Sequence, residues 1–471
     1  MCIRDSRLIS CSAFLLMLGP ATYSQSGIRL TLEEAQAIAS ERAYAVRYAT
    51  IDKDQAASTT RETIASGFPQ ISGAVDYNRY IDIPTQVAPA DAFGFPDYLV
   101  DFLGSVAQET GVPLNAPPND PDAISEFQFG ATQTVTAGIT ATQLIFSPSY
   151  FVGIQAAKAY TSAMEAAESK SVADARRAAG EAYAAALAAD ENVDILNAAE
   201  ALAREAYGQT RSLVEEGLAE STDADQLELA VSDIARQRTE AESMAAVALD
   251  ALKFTIGMPV ETTVILADSF ETLEDSFDGA TVLGTPFDAV RLPEIRTQAR
   301  NLELSELGIR NEKAAGLPSI GAFYTNQRNA QRDAFDFLGT GSWYPIQLIG
   351  VQMSIPIWSS FAGKERVIQA ELTRDRAATA LEQLTESAAL EYRAARTEYT
   401  AALEQRQQAQ RGLDLANRIL ERTRIKFTEG LSSSFDLTQA QNQRVSAQGN
   451  LTQATLRWLN AHLRLQRSLN A

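Results

Sequence analysis

Histidine and cysteine are almost missing from this 471-residue chain, which has one His and two Cys. His462 stands without a second His or Cys at ligand spacing, so neither a zinc site nor a histidine-based catalytic triad can be assembled. Cys2 and Cys11 both fall in the first eleven residues, which leaves the rest without disulfides or thiolate ligands. Glycine-rich phosphate loops and dinucleotide fingerprints are missing as well. The chain therefore lacks the parts of an enzyme or of a cofactor site, and neither is expected.

Positive charge is in deficit too: 40 Lys and Arg stand against 60 Asp and Glu, a formal net charge of -20. Nucleic acid is bound through Lys and Arg clusters on its phosphates, so it is excluded as a partner. No run approaches the roughly 18 to 20 apolar residues of a membrane-spanning helix. If the chain enters a membrane, it must do so with strands. Proline is absent from 149–258 and 357–471, although the chain has 16. A proline inside a helix costs about 3 kcal/mol, so these windows, rich in Ala, Glu, Gln, Leu and Arg, read as helix.

What is present is said twice. Gly67-Phe68-Pro69-Gln70-Ile71 opens one strand and Gly316-Leu317-Pro318-Ser319-Ile320 opens another. Second strands end at Ile145-Phe146-Ser147 and Ile357-Trp358-Ser359, with Gly138 and Gly350 at matching places. Each half then enters a long helical stretch broken once, by Glu216-Gly217-Leu218 with Ser221 and Asp223 behind it, and by Glu429-Gly430-Leu431 with Ser434 and Asp436. The separation between copies is the same at all five of these turn positions. Such internal symmetry is an architecture in itself. Helices are expected at 149–215, 223–256, 360–428 and 436–469, with shorter ones at 31–65 and 293–314.

Four segments follow. Arg4 and Arg7 precede an apolar run from Ala13 to Leu18, so 1–24 is expected to be a secretory signal peptide; the lipoprotein-like Leu8-Ile9-Ser10-Cys11 lies ahead of most of that run. Residues 25–258 form a first repeat of helix, strands 69–80 and 127–146, and a helical hairpin turning near 217. The acidic 259–290 links the halves. Residues 291–471 form a second repeat of helix, strands 317–327 and 344–357, and a hairpin turning near 430. The insert from Ile83 to Glu126 reads as an exposed loop.

The strands carry the membrane signal. From Phe127 and Phe129 through Val135 and Ile139 to Ala141, odd positions are mostly apolar, while the even ones are Gln, Gly and Thr. Only a period of two gives that pattern. Trp343 and Trp358 bracket the last strand, where Tyr344 also stands, and are read with Phe127 and Phe129 as interfacial aromatics. Four strands cannot close a barrel, and open edges in lipid leave backbone groups unpaired at several kcal/mol each. Membrane residence therefore demands several chains.

Over nearly the whole of Leu30 to Leu469 these features resemble the TolC family of outer membrane channel proteins. The paired strand openings, Gly257-Met258-Pro259 at the end of the first repeat, Leu292-Pro293-Glu294-Ile295 at the start of the second and the paired Gly-Leu turns carry the likeness, by order and spacing together. The resemblance implies a mainly α protein with a membrane β-barrel portion: a homotrimer in which each subunit gives four strands to a twelve-stranded barrel and its helices to a long α-helical barrel. It would sit in the outer membrane of a Gram-negative type envelope and extend into the periplasm. It would act as a passive exit duct for an efflux pump or a type I secretion system, meeting a periplasmic adaptor and an inner membrane pump.

Mapped onto this chain, the resemblance makes Arg211, Glu216, Gly217, Leu218 and Ser221, with Arg424, Lys426, Glu429, Gly430, Leu431 and Ser434, the adaptor-binding tips. Arg424 and Lys426 could also pair with acidic neighbours to hold the tip shut. Asp223 and Asp436 would form a periplasmic gate, with Gln439 where some relatives carry a second aspartate. Asp223 also suits a helix start, where a carboxylate gains about 0.3 to 1 kcal/mol. The competing reading is a secreted coiled-coil or filament protein without channel activity, which explains the helices and leaves the strands unused.

Overall fold

The computed structural model describes residues 28–89, 97–112, 124–128, 130–277, 279–339 and 341–470. The expected signal peptide, with both cysteines, and Phe129 lie outside them. In chain order the elements begin with β1 (Ile28–Leu30), α1 (Leu32–Arg42), α2 (Tyr44–Ala65), β2 (Gln70–Arg79), β3 (Thr85–Pro89), α3 (Asp97–Thr110), β4 (Ile124–Gln128) and β5 (Gln133–Phe146). Next come α4 (Pro148–Glu215), α5 (Ser221–Thr255), β6 (Val264–Leu266), α6 (Phe270–Ser276) and α7 (Gly279–Gly284). A short 3-10 turn, Ala289–Arg291, leads into α8 (Pro293–Ala314), β7 (Ser319–Arg332), β8 (Tyr344–Ser354), α9 (Ala362–Thr428) and α10 (Ser434–Leu469).

Two compact units result: a helical one formed by the chain up to Ala57, Ala159–Leu304 and the chain from Asp375 on, and a strand-bearing one formed by Ser58–Lys158 and Ser305–Arg374. The 68 residues of α4 measure about 100 Å at 1.5 Å each. Small side chains such as Ala163, Ala179 and Ala203 line its buried face. At Gly180 an added Cβ would stand 2.7 Å from Cδ1 of Leu463 in α10, so that side chain would have to shift to admit a larger residue. The core of the helical unit gathers Tyr183, Leu252, Tyr399, Trp458 and Leu459.

The helix expected over 31–65 is two. A Thr31–Glu34 capping box opens α1, and Ala43, at φ -54° and ψ 138°, interrupts the turn before α2. The 259–290 segment, expected as a linker, is part of the core. Val264, Leu273 and Val282 are buried in it, and β6 pairs in parallel with β1. Asp268 accepts hydrogen bonds from the Tyr183 hydroxyl at 2.9 Å and the Leu32 N–H at 2.8 Å. Its acidic composition hid these anchors. Arg467, nearly buried, donates to Asp174 at 2.7 Å and Glu294 at 3.1 Å, joining α10 to α4 and α8.

In the strand-bearing unit four antiparallel strands lie in the order β2-β5-β7-β8. Among the described residues, β2 and β8 have no further partner on their outer edges. The register puts Ile71, Val75 and Tyr77 of β2 on one face with Val135 and Ile139 of β5, Tyr324 of β7, and Ile349, Val351 and Met353 of β8. Most of that face is exposed, Ile349 to 80% and Val75 to 75%, while Val135 is buried with Ala330 and Phe337. The other carries Asp76, Asn78, Thr136, Thr140, Gln327 and Asn329, along with Ile346 and Leu348 of the edge strand. Asn329 donates to the Thr136 hydroxyl at 2.9 Å across it.

Several expected strands are redrawn. The one expected over 127–146 is divided: β4 pairs with β3, and β5 alone joins the large sheet. Gly130 between them has φ +124°, and the period of two runs on because both pieces are extended. The strand expected over 317–327 continues to Arg332. The one expected over 344–357 stops at Ser354, just ahead of Pro356, which has no N–H to give a ladder. The insert expected as loop contains β3, α3 and β4.

Candidate functional site

The two helical turns are built alike. After α4, the Leu218 N–H donates to the Leu213 carbonyl at 2.8 Å and the Gly217 N–H to that of Val214 at 3.0 Å. After α9, the Leu431 N–H reaches Lys426 at 2.7 Å and the Gly430 N–H reaches Phe427 at 3.0 Å. Paired bonds of this kind end a helix when the following residue is left-handed, and Gly217 and Gly430 have φ of +74° and +73°. A side chain would be strained there. Each glycine thereby turns a leucine outward: Leu218 is 72% exposed and Leu431 78%.

Beneath the turns Ala206, Leu227 and Leu437 are buried, with Tyr207, Leu420 and Phe427 packed against them. This small core joins the two hairpins. Arg424 crosses between them to Glu205 at 3.0 Å, whereas Arg211 pairs along its own helix with Glu215 at 3.2 Å. Glu216, Ser221, Lys426 and Glu429 are exposed. A cleft of ≈ 370 Å³ beside the second turn is lined by Glu205, Phe427, Leu437 and Arg444 among others.

The three positions expected at the gate differ in their surroundings. Asp223 is the third residue of α5, whose N-cap, Glu220, makes no side-chain capping bond. Its carboxylate instead accepts from the buried Ser434 hydroxyl of α10 at 2.6 Å. Asp436 is the third residue of α10 and closes a capping box with Ser433. It accepts from the Ser433 N–H at 3.1 Å and from the hydroxyls of Ser433 at 2.9 Å and Ser432 at 3.1 Å. Those donors, the Ser433 backbone first, hold the Asp436 carboxyl below the usual carboxylate range. Gln439 is exposed one turn on. Sequence reasoning missed Ser433, although Ser433-Ser434-Phe435-Asp436 carries the signal: a hydroxyl residue three before an acid at a helix start.

The aromatic residues are scattered. Tyr344 opens β8 and is exposed. Trp343, just before it, packs on Val135, Ala330 and Phe337. Trp358 lies past the end of β8 and meets Phe361 edge-on at 5.1 Å. Phe127 belongs to β4, opposite Gln86, and so is not on the four-stranded sheet as expected. No group of His, Cys, Asp and Glu able to hold a metal occurs among the described residues, and no described helix is long and apolar enough to cross a membrane.

Residues 289–471, the stretch holding α8, β7, β8, α9 and α10, match the outer membrane efflux protein family. Solved channels share the fold over most of the chain. The Campylobacter jejuni CmeC outer membrane channel superposes with a TM-score of 0.65 at 18% identity, covering 93% of this chain and 85% of that one. The Neisseria gonorrhoeae MtrE outer membrane channel, solved in its open state, gives 0.66 at 15%, with 93% and 89% covered. The family model thus covers the second part of this chain, and the solved channels share its fold. CusC gives 0.66 at 14%, with 94% and 92% covered. A curated relative, the protease secretion protein PrtF of Dickeya chrysanthemi, is 21% identical over 288 residues, 61% of this chain. The match spans 62% of that relative's length. In this chain the β-strand face and the two helical turns are therefore the parts to be read for function.

Proposed function

We propose that three copies of this chain form an outer membrane exit duct, passive in itself, that receives substrate from an inner membrane pump through a periplasmic adaptor. The observation that carries this reading is the four-stranded sheet with an exposed apolar face and two unpaired edges. In lipid, each unpaired backbone group costs several kcal/mol, and only closure removes the edges. Pairing β2 of one copy with β8 of the next closes a barrel, and three copies make twelve strands. The apolar face then meets lipid, and the Thr, Asn and Gln face lines the lumen.

The series helix, two sheet strands and a helical hairpin occurs once before Pro259 and once after it, which supports a two-fold internal repeat. The helical unit then belongs to the periplasm, with its turns as the adaptor-binding tips. Leu218 and Leu431 are the apolar contacts. Three Asp436 side chains supply a single negative ring at the axis, with Gln439 adding no charge one turn on. The name of the curated relative favours protein secretion, and the solved channels favour no particular cargo.

Leu431→Asp is expected to leave oligomer yield unchanged and to abolish pump-dependent export in a complemented strain; normal export would remove the turns from pump coupling. Asp436→Asn is expected to reduce cation selectivity in planar bilayers, and single-channel records identical to wild type would remove Asp436 from the gate.

A further inference from the structure

Charge on the apolar face of the large sheet is confined to one end. By register Arg79, Arg328 and Arg332 stand on the side of Val75 and Ile349, and no Asp, Glu or Lys of the four strands shares that face. Arg79 and Arg332 flank Gln133 in one row. At the spacings of a sheet, Arg79 is about 10 Å from Arg332 between Cα atoms and Arg328 about 13 Å from it. This is the end where β2 leaves the sheet and β5 enters, opposite the end that joins α2 and α4.

Arg79 and Arg328 are exposed, and neither has an ion pair or hydrogen bond among the described residues. Arg332 is fixed in place: its Nη1 donates to the Asp336 carboxylate at 2.7 Å, and its guanidinium lies 5.3 Å from the centre of the Phe337 ring. Asp333, the other carboxylate of the β7–β8 loop, accepts from the Thr132 N–H at 3.0 Å. Tyr77, Phe335 and Phe337 pack edge to face beside them, at centroid distances of 5.7 and 5.5 Å.

Arginine on a lipid-facing strand costs about 2 to 4 kcal/mol at the bilayer midplane and about 0 to 1 near the interface. All three arginines avoid the middle of the strands. Guanidinium groups bind phosphate oxygens in pairs, and aromatic rings favour the headgroup level. We infer that Arg79 and Arg328, beside the loop that the nearly buried Arg332 holds, seat the phosphates of an outer-leaflet lipid whose acyl chains lie along Ile139, Tyr324 and Ile349. A bisphosphorylated glycolipid is the class that suits two guanidinium groups carried on Cα atoms about 16 Å apart, a span their flexible stems can shorten. A free phosphate ion would make no use of the apolar strip below. This inference rests on the barrel reading above.

Native mass spectrometry of the detergent-solubilised oligomer tests it, with bisphosphorylated lipid A, the fully dephosphorylated lipid or inorganic phosphate added. Wild type is expected to retain the bisphosphorylated lipid about tenfold more than the dephosphorylated one, and about tenfold more than an Arg79→Gln/Arg328→Gln double variant. Arg332 is left in place because it holds the β7–β8 loop. Equal retention of the two lipids by wild type overturns the inference without need of any variant, as does release of the lipid by inorganic phosphate. An assembled oligomer that holds no lipid contradicts this inference alone. A chain that is water-soluble without detergent contradicts the barrel reading.

Discussion

Gly430 shows how much one residue decides. With φ at +73° it ends α9, supplies the turn and exposes Leu431. An alanine there is expected to destabilise the turn by about 1 kcal/mol, visible as faster hydrogen exchange of the amides of position 430 and Leu431; unchanged exchange would contradict the turn geometry. His462 acts in the opposite setting. It is buried against Phe277 at 4.3 Å and Tyr399 at 5.6 Å, and burial pushes its pKa down to about 4 from 6.5. The folded chain thus refuses a proton that the unfolded chain accepts. Stability from this group is complete above pH 6.5 and is lost as the pH falls toward 4, by about 3 kcal/mol at most. Thermal melts of His462→Phe should show a shallower loss between those values than wild type, and parallel curves would contradict it. The sequence made His462 legible as lone, and hence structural, because a metal or a triad needs neighbours. It did not make the Ser434–Asp223 bond legible, because the two residues come from different hairpins.

Among the elements, α4, α8 and α10 are joined by Arg467. Burial opposes ionisation of Asp174, but hydrogen bonds from Lys170 and Arg467 outweigh it and hold its carboxyl below the usual range. Arg467→Met strands Glu294 and leaves Asp174 with Lys170 alone, so a loss of about 3 kcal/mol is expected in thermal or denaturant unfolding. Adding Asp174→Asn and Glu294→Gln should recover part of it, and no recovery would mean that packing, not charge, is the cause. Arg424–Glu205 is a contrast: both side chains are about half exposed, so Arg424→Ala is expected to cost only about 0 to 1 kcal/mol. Helices were readable because proline avoidance and composition act locally. The partition between β4 and β5 was not, since two adjoining strands in different sheets leave one continuous alternation. Nor was the role of Val264, Leu273 and Val282, whose burial depends on helices far away in the chain.

At the scale of the whole molecule, pairing decides what the strands become. β5 and β7 are direct neighbours although they come from the two halves of the chain, so the sheet is built by both halves together. Sequence alternation identifies each strand and says nothing of which edge meets which, because hydrogen-bonding backbone groups are the same in every residue. What alternation does expose is the need for closure: an apolar face with open β2 and β8 edges is tolerable in lipid only when another copy covers them. Native mass spectrometry of the protein extracted from outer membranes measures this most directly. The account expects a detergent-dependent assembly of three chains, and a single chain that remains soluble without detergent would contradict it.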